Sequence, residues 1–212
     1  MAFERLVGAT ICGFVKLITG ARVIWQDNAP EERQRIYFAN HRSHADIVLL
    51  WSALPPAIRY RSRPVAGADY WQTNKFKQYL AGQVFQSVLI DRNRSETSPN
   101  PVEQMVTALS EGSSLIIFPE GTRNLDEGVK PFKSGIYHLA KAHPEVELVP
   151  VWLENMGRVM PKGEIVPVPL ICTLIFGPAM HLQPQETKEE FLERARNALL
   201  NLQPSKEKEE EL

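Results

Sequence analysis

"RIYFANHRSHADIVLLW", residues 35–51, reads as a short strand, a polar loop and the start of a helix. Residues 35–39 form a β-rich run of strand length, apolar after Arg35, and Asn40 closes it. Residues 47–53 carry a helical pattern, and Asp46 stands in the first turn, where a carboxylate suits the positive end of the helix dipole. A strand that passes through a loop into a helix is the repeating step of α/β folds.

Further steps lie on both sides of it. "RVIW" (22–25), "VAGA" (65–68), "SVLI" (87–90), "SLIIF" (114–118), "LVPVWL" (148–153) and "LICTLIF" (170–176) are strand candidates bounded by Gly, Pro, Asn or charged clusters. Residues 74–81, 101–111, 134–142 and 188–202 carry helical patterns between or after them. The alternation predicts one α/β domain with a largely parallel central sheet flanked by helices, and 212 residues at 43% hydrophobic suffice for its single core. No repeat with a period of 20–50 residues interrupts that reading. The run "KEKEEEL" makes residues 203–212 an expected disordered acidic tail, which leaves 25–202 as the main domain.

Residues 1–24 are expected to form an N-terminal amphipathic segment. Phe3, Leu6, Val7, Ile11, Phe14, Leu17 and Ile18 recur at spacings of three and four, which lines one face of a helix. That face reads first as one that packs on the core, with a face lying in a bilayer surface as the alternative. Glu4, Arg5 and Lys16 break the run short of a membrane span, and no early basic block or cleavage site marks a secretory signal.

A formal net charge of −1 excludes the basic footprint of a nucleic-acid binder, so any anionic ligand must be held by a local cluster of Lys and Arg. Cys12 and Cys172 sit far apart in apolar sequence, without the spacing of thiolate metal sites or a disulfide framework. They read as buried thiols.

Ligands of open α/β sheets bind outside the carboxyl ends of the strands. Three strand ends carry ionisable groups there: "NHRSHAD" after 35–39, "DRNR" after 87–90 and "PEGTRN" after 114–118. They point to one shared site. His41 lies close enough to Asp46 for the carboxylate to accept its ring N–H, which fixes the tautomer and frees the other nitrogen to take a proton from a hydroxyl. The same residues could be a helix cap with no chemistry. No G-x-S-x-G elbow supplies a nucleophile, so direct transfer by general-base catalysis is the simpler chemistry. His41, His44 and Asp46 could also be offered as metal ligands, but no further His, Asp or Glu motif completes the set; no metal is expected, and His44 reads as a loop or cap residue.

In "FPEGTRN", Gly121 permits close backbone approach, Arg123 offers a planar fork for phosphate oxygens and Thr122 adds a hydroxyl. Lys130 and Lys133 follow within reach of the same edge. Glu120 could pair with the neighbouring arginine or touch a substrate hydroxyl. Arg92 gives a second cation for a phosphate monoester, unless Asp91, Arg92 and Arg94 are a solvated loop.

With Asn40, His41 and Asp46, "LIDR" at 89–92, "FPEGTR" at 118–123 and "VPVW" at 149–152 in that order, the chain resembles the glycerophospholipid acyltransferase family, in particular bacterial 1-acyl-sn-glycerol-3-phosphate acyltransferases. The resemblance spans residues 40–152. It implies transfer of a fatty acyl group from acyl-CoA or acyl-ACP to the free hydroxyl of 1-acyl-glycerol-3-phosphate, giving phosphatidic acid in phospholipid biosynthesis. Glycerol 3-phosphate or a lyso-aminolipid as acceptor, and thioester or lipid hydrolysis, are the alternatives. By resemblance His41 is the base and Asp46 its orienting partner. Arg92, Glu120, Gly121 and Arg123 grip the glycerol phosphate, and Pro150 shapes the site near the acyl path. The family implies no metal and no cofactor beyond the thioester co-substrate. The implied partners are the lysophospholipid, the acyl thioester, acyl carrier protein as one donor, and a membrane surface. Attachment is expected at the cytoplasmic face of the inner membrane, peripheral or monotopic, through residues 2–20. Ala45, where the family often has a bulkier residue, and Asn124, where it has Ser, bear on substrate choice.

Overall fold

Every residue of β2 (Arg35–Ala39) is buried, as the unbroken apolar run 36–39 requires of a strand covered on both faces, and Arg35 is buried with Glu147 as its ion-pair partner. In the computed structural model, which describes residues 2–27, 29–43, 45–91, 99–124, 128–155 and 171–204, β2 is the middle strand of seven. The others are β1 (Arg22–Trp25), β3 (Ser62–Gly67), β4 (Val88–Ile90), β5 (Ser114–Ile117), β6 (Glu147–Leu153) and β7 (Thr173–Phe176). The order across the sheet is β1-β7-β6-β2-β5-β3-β4. Ile36 stands opposite Leu115 of β5 and Leu148 of β6, both in parallel register.

The five strands from β6 to β4 are mutually parallel, as expected, whereas β7 is antiparallel to β6 and carries β1 parallel to itself. The reversed edge pair has a consequence for the site. β1 begins at the end of the sheet where β2, β5 and β6 finish, so the last turn of α1 (Ala2–Thr19) lies at that end too. Cys172 N–H donates to Thr19 O and Arg22 N–H to Cys172 O, both at 2.9 Å, which ties the helix end to the sheet.

Alternation along the strands sorts the core into two layers. Tyr37, Ala39, Val149 and Val151 pack with Cys12 of α1 and with Ile47, Leu50 and Trp51 of α2 (Asp46–Ala53). Ile36, Phe38, Leu148 and Trp152 face α6 (Pro101–Ser110), α7 (Gly135–Ala142) and α8 (Lys188–Leu200). Local chemistry starts these helices where they start. Pro101 opens α6 behind the Asn100 side chain, which accepts from Val102 N–H. Thr187 and Glu190 form a reciprocal capping box on α8.

Several expectations change. The helix expected over 74–81 is α5 (Lys75–Tyr79) followed by a π-helical turn, Leu80–Val84. The wider turn buries Ala81 and Val84 beneath α1 at Gly8, where a Cβ would stand 3.1 Å from the Trp51 ring. β3 starts earlier than the expected 65–68, and Ala68 instead opens α4 (Ala68–Trp71). That helix and α3 (Pro56–Arg59) are each four residues, too short to display a 3.6-residue period. The division expected after residue 24 passes through β1, which is part of the sheet. Residues 205–212, most of the expected tail, lie outside the described residues.

The apolar positions of α1 do not share one face. Val7, Ile11 and Val15 pack against the core on either side of buried Gly8 and Cys12. Phe3, Leu6, Phe14 and Leu17 are between 62% and 83% exposed and line a second stripe. The helix therefore both packs and presents an apolar surface. Ile171, 68% exposed, continues that surface at the C-terminal end, beside Gly20.

Candidate active site

Two residues past the end of β2, the chain is held from four directions. Asn40 comes first: its amide donates to Leu153 O at 2.9 Å and its Oδ1 accepts Leu153 N–H at 2.8 Å. The buried side chain thus imitates one more rung of the β2–β6 ladder, whose last backbone pair is Ala39 with Val151. His41 follows from that fixed point.

Its ring Nδ1 lies 2.8 Å from Asp46 Oδ2, and both side chains are buried. The same oxygen accepts Arg42 N–H at 2.7 Å and Ser43 N–H at 2.8 Å. A carboxylate that accepts here sets the tautomer: in the neutral imidazole the hydrogen is on Nδ1 and the lone pair on Nε2. The loop turns tightly because Asp46, the first residue of α2, gathers donors that precede it. Ala45 makes no side-chain cap. Asp46 therefore binds the loop and the imidazole, where a helix cap alone would bind only backbone. Phe118 stacks on the ring, with centroids 4.4 Å apart and planes 28° from parallel, which leaves the imidazole little rotational freedom.

The turn after β5 closes on the same loop. Asn124 N–H donates to His41 O at 2.7 Å. Glu120, buried, accepts His41 N–H at 2.9 Å on Oε1 and Lys130 N–H at 2.8 Å on Oε2. Among the described residues no ion pair joins Glu120 to Arg123, one of the two readings of the sequence, and the carboxylate organises backbone instead. Gly121 has φ +71°, a conformation that favours glycine, and a Cβ there would meet Lys133 Cε at 2.6 Å. The Lys133 chain lies over the glycine. Thr122 is exposed, and half-buried Arg123 makes no hydrogen bond or ion pair among the described residues.

His41, Asp46, Glu120, Gly121, Thr122 and Arg123 are thus brought to one end of the sheet. Arg92 and Arg94, like His44, lie outside the described residues. Pro150 is not brought there. It is paired with Phe38 inside the sheet, three positions before His41, and its ring packs toward Gly177. Its neighbours Val149 and Val151 belong to the α1–α2 layer that holds Phe118, so Pro150 points to the other face.

Sequence reasoning gave no role to Asn40, Phe118, Arg42 or the Asn124 amide. Asn40 and Phe118 stand inside the quoted blocks, so position could have found them. The Asn124 contact is made by backbone and leaves no signature in residue type. Arg42 adds a half-buried guanidinium whose Nη2 is 3.4 Å from Gly128 O, beside the Asn124 amide contact to the same carbonyl. Neither thiol competes as nucleophile. Burial, with Asp46 and Glu154 nearby, pushes the Cys172 thiol up to about 11, and burial raises Cys12 against the opposing charges of Arg59 and Lys16.

A model of the acyltransferase family matches residues 21–154, more than half of the chain. The chain is 29% identical over 190 residues to a 1-acyl-sn-glycerol-3-phosphate acyltransferase of Chlamydomonas reinhardtii, covering 86% of this chain and 52% of that protein. It is 31% identical over 130 residues to the enzyme of that name from Salmonella typhimurium, covering 58% of this chain and 48% of the relative. The chain thus spans about half the length of these curated relatives. The crystal structure of the 1-acyl-sn-glycerophosphate acyltransferase PlsC from Thermotoga maritima shares the fold, with a TM-score of 0.74 at 20% identity, over 99% of this chain and 82% of that one.

Proposed function

The chain belongs to the acyltransferase family, and from that premise we propose that it moves a fatty acyl group from an acyl thioester to the free hydroxyl of a 1-acyl-glycerol 3-phosphate, forming phosphatidic acid. The observation that carries the reading is the His41 loop. Asp46 holds Nδ1–H, and the Asn124 amide beside Arg123 holds the His41 carbonyl, so base and cationic edge are one assembly. The names of the relatives supply the acceptor.

In the reaction, His41 Nε2 takes the proton of the acceptor hydroxyl as its oxygen bonds to the thioester carbonyl carbon. Asp46 stabilises the imidazolium that forms. The tetrahedral intermediate collapses with cleavage of the C–S bond, the thiol carrier leaves, and the proton on His41 passes to the departing sulfur. Arg123 and Lys133 meet the acceptor phosphate, with Arg42 and Lys130 close by; Arg92 is a further phosphate ligand in this reading. The donor is acyl-CoA or acyl-ACP, and no metal takes part.

The test is a purified protein given a panel of acyl thioesters and lysolipid acceptors, with products weighed by mass spectrometry. Phosphatidic acid formed from lysophosphatidic acid is the expected product. Free fatty acid at the same rate with and without acceptor would make the protein a thioesterase, and preference for glycerol 3-phosphate or a lyso-aminolipid would move the acceptor.

Arg123→Ala should raise the acceptor KM about tenfold or more, because a charge-assisted hydrogen bond to phosphate is worth roughly 1.5–3 kcal/mol. Donor KM should stay near wild type. A change in donor kinetics alone would remove Arg123 from the phosphate pocket.

No helix among the described residues is long and apolar enough to cross a membrane. We place the exposed stripe of α1 in one leaflet, at the cytoplasmic face of the inner membrane, with the site at the same end of the sheet as Leu17 and Ile171. A lipid acceptor would then reach His41 from the bilayer. Phe14→Ser with Leu17→Ser should cut co-sedimentation with liposomes about tenfold or more, since full burial of each side chain is worth roughly 1.5–3 kcal/mol. Turnover of a short-chain, water-dispersed acceptor should be unchanged. Undiminished liposome binding would show that another surface docks.

A further inference from the structure

Glu120 is 3% exposed and both carboxylate oxygens are engaged, Oε1 by His41 N–H and Oε2 by Lys130 N–H. A buried carboxylate is costly unless its charge is met. Here the described residues meet it with backbone donors alone, and such charge-assisted bonds are short and strong. The two donors belong to separate functional segments. One is the residue that carries the base. The other begins the stretch to Lys133, whose N–H donates to Pro119 O at 2.8 Å and whose side chain lies over Gly121. An ionised carboxylate is also a poor neighbour for a phosphate dianion, which like charge repels.

We infer that Glu120 is a positioning residue, a strut that sets the His41 backbone and the Lys130–Lys133 cations relative to each other, and not a ligand of the acceptor. The inference rests on the acyl-transfer reading above and reassigns one residue within it. Glutamine in its place has the same size but one acceptor and one amide donor. Whichever way it turns, one of the two backbone N–H groups faces an NH₂. The base loop or the lysine loop then shifts, and a displacement of about 1 Å costs on the order of 10²-fold in rate.

Glu120→Gln is therefore expected to lower kcat roughly 10- to 100-fold, with any rise in the lysophosphatidic acid KM from the lysine loop smaller than that fall, the reverse of the split expected for Arg123→Ala. Thermal melting reports whether the variant is folded. A raised acceptor KM with kcat kept, or wild-type values for both, would overturn the strut. A second readout needs no variant: glycerol 3-phosphate is titrated into the wild-type protein and followed by NMR. The Arg123 side-chain signals should move while the Glu120 carboxyl ¹³C signal stays; movement of the two together would make Glu120 a ligand. Absence of acyl transfer by wild type would count against the acyl-transfer reading alone, and the NMR result would still decide the strut.

Discussion

His41→Ala should lose roughly 10²- to 10⁴-fold in kcat, the range that a positioned general base contributes, with the fold retained. The basis is local. His41 Nδ1 is committed to Asp46, so Nε2 is the nitrogen left to take a proton, and Phe118 and the Asn40 rung fix where it points. Removal of the ring leaves Asp46 Oδ2 with the Arg42 and Ser43 N–H groups, so the loop keeps much of its bonding. Initial rates by product mass and melting by tryptophan fluorescence check both halves. Turnover within a few-fold of wild type would remove His41 from the chemistry.

Asp46→Asn should lower kcat by about 10³-fold or more, comparable to the loss of the buried aspartate in other Asp–His pairs, with little change in acceptor KM. An amide can still accept Nδ1–H, but it does not stabilise an imidazolium. Stability separates this variant from Asp46→Ala. The asparagine keeps an acceptor for the loop N–H groups, although its NH₂ must occupy the position of Asp46 Oδ1, which is buried with no partner among the described residues. Alanine leaves the Arg42 and Ser43 donors unmet, at about 1–3 kcal/mol for each group that stays buried. Asp46→Ala should thus melt well below Asp46→Asn. Equal melting with unequal activity would assign Asp46 to the chemistry alone, and unimpaired kcat in Asp46→Asn would make it a structural residue.

The parallel centre of the sheet was legible because a strand covered on both faces must read as an unbroken apolar run, and residues 36–39 and 148–153 do. Strand direction was not. "LICTLIF" reads alike whichever way it lies, so the antiparallel edge pair had to come from the structure. The spacing in α1 named the correct apolar residues but merged two stripes into one, since a list of positions at three and four also fits a helix that is apolar around much of its girth. Of the site, His41 with Asp46 was readable because both partners lie in one loop. Glu120 was not, because its partners are main-chain N–H groups, one of them 79 residues away, and residue type gives no sign of such a contact. A neighbouring arginine made the local ion pair look natural. Pro150 came from the resemblance alone, and the alternation of Val149 and Val151 places it on the far face.

Acyl transfer by this protein rests on one histidine, held by one aspartate, that delivers an alcohol to a thioester. Its most direct measurement is thiol release from an acyl thioester, with and without 1-acyl-glycerol 3-phosphate, in wild type and His41→Ala. Release in wild type that depends on acceptor, matched mole for mole by phosphatidic acid and absent in the variant, is the predicted result. Release indifferent to acceptor, or equal in the two proteins, would contradict it.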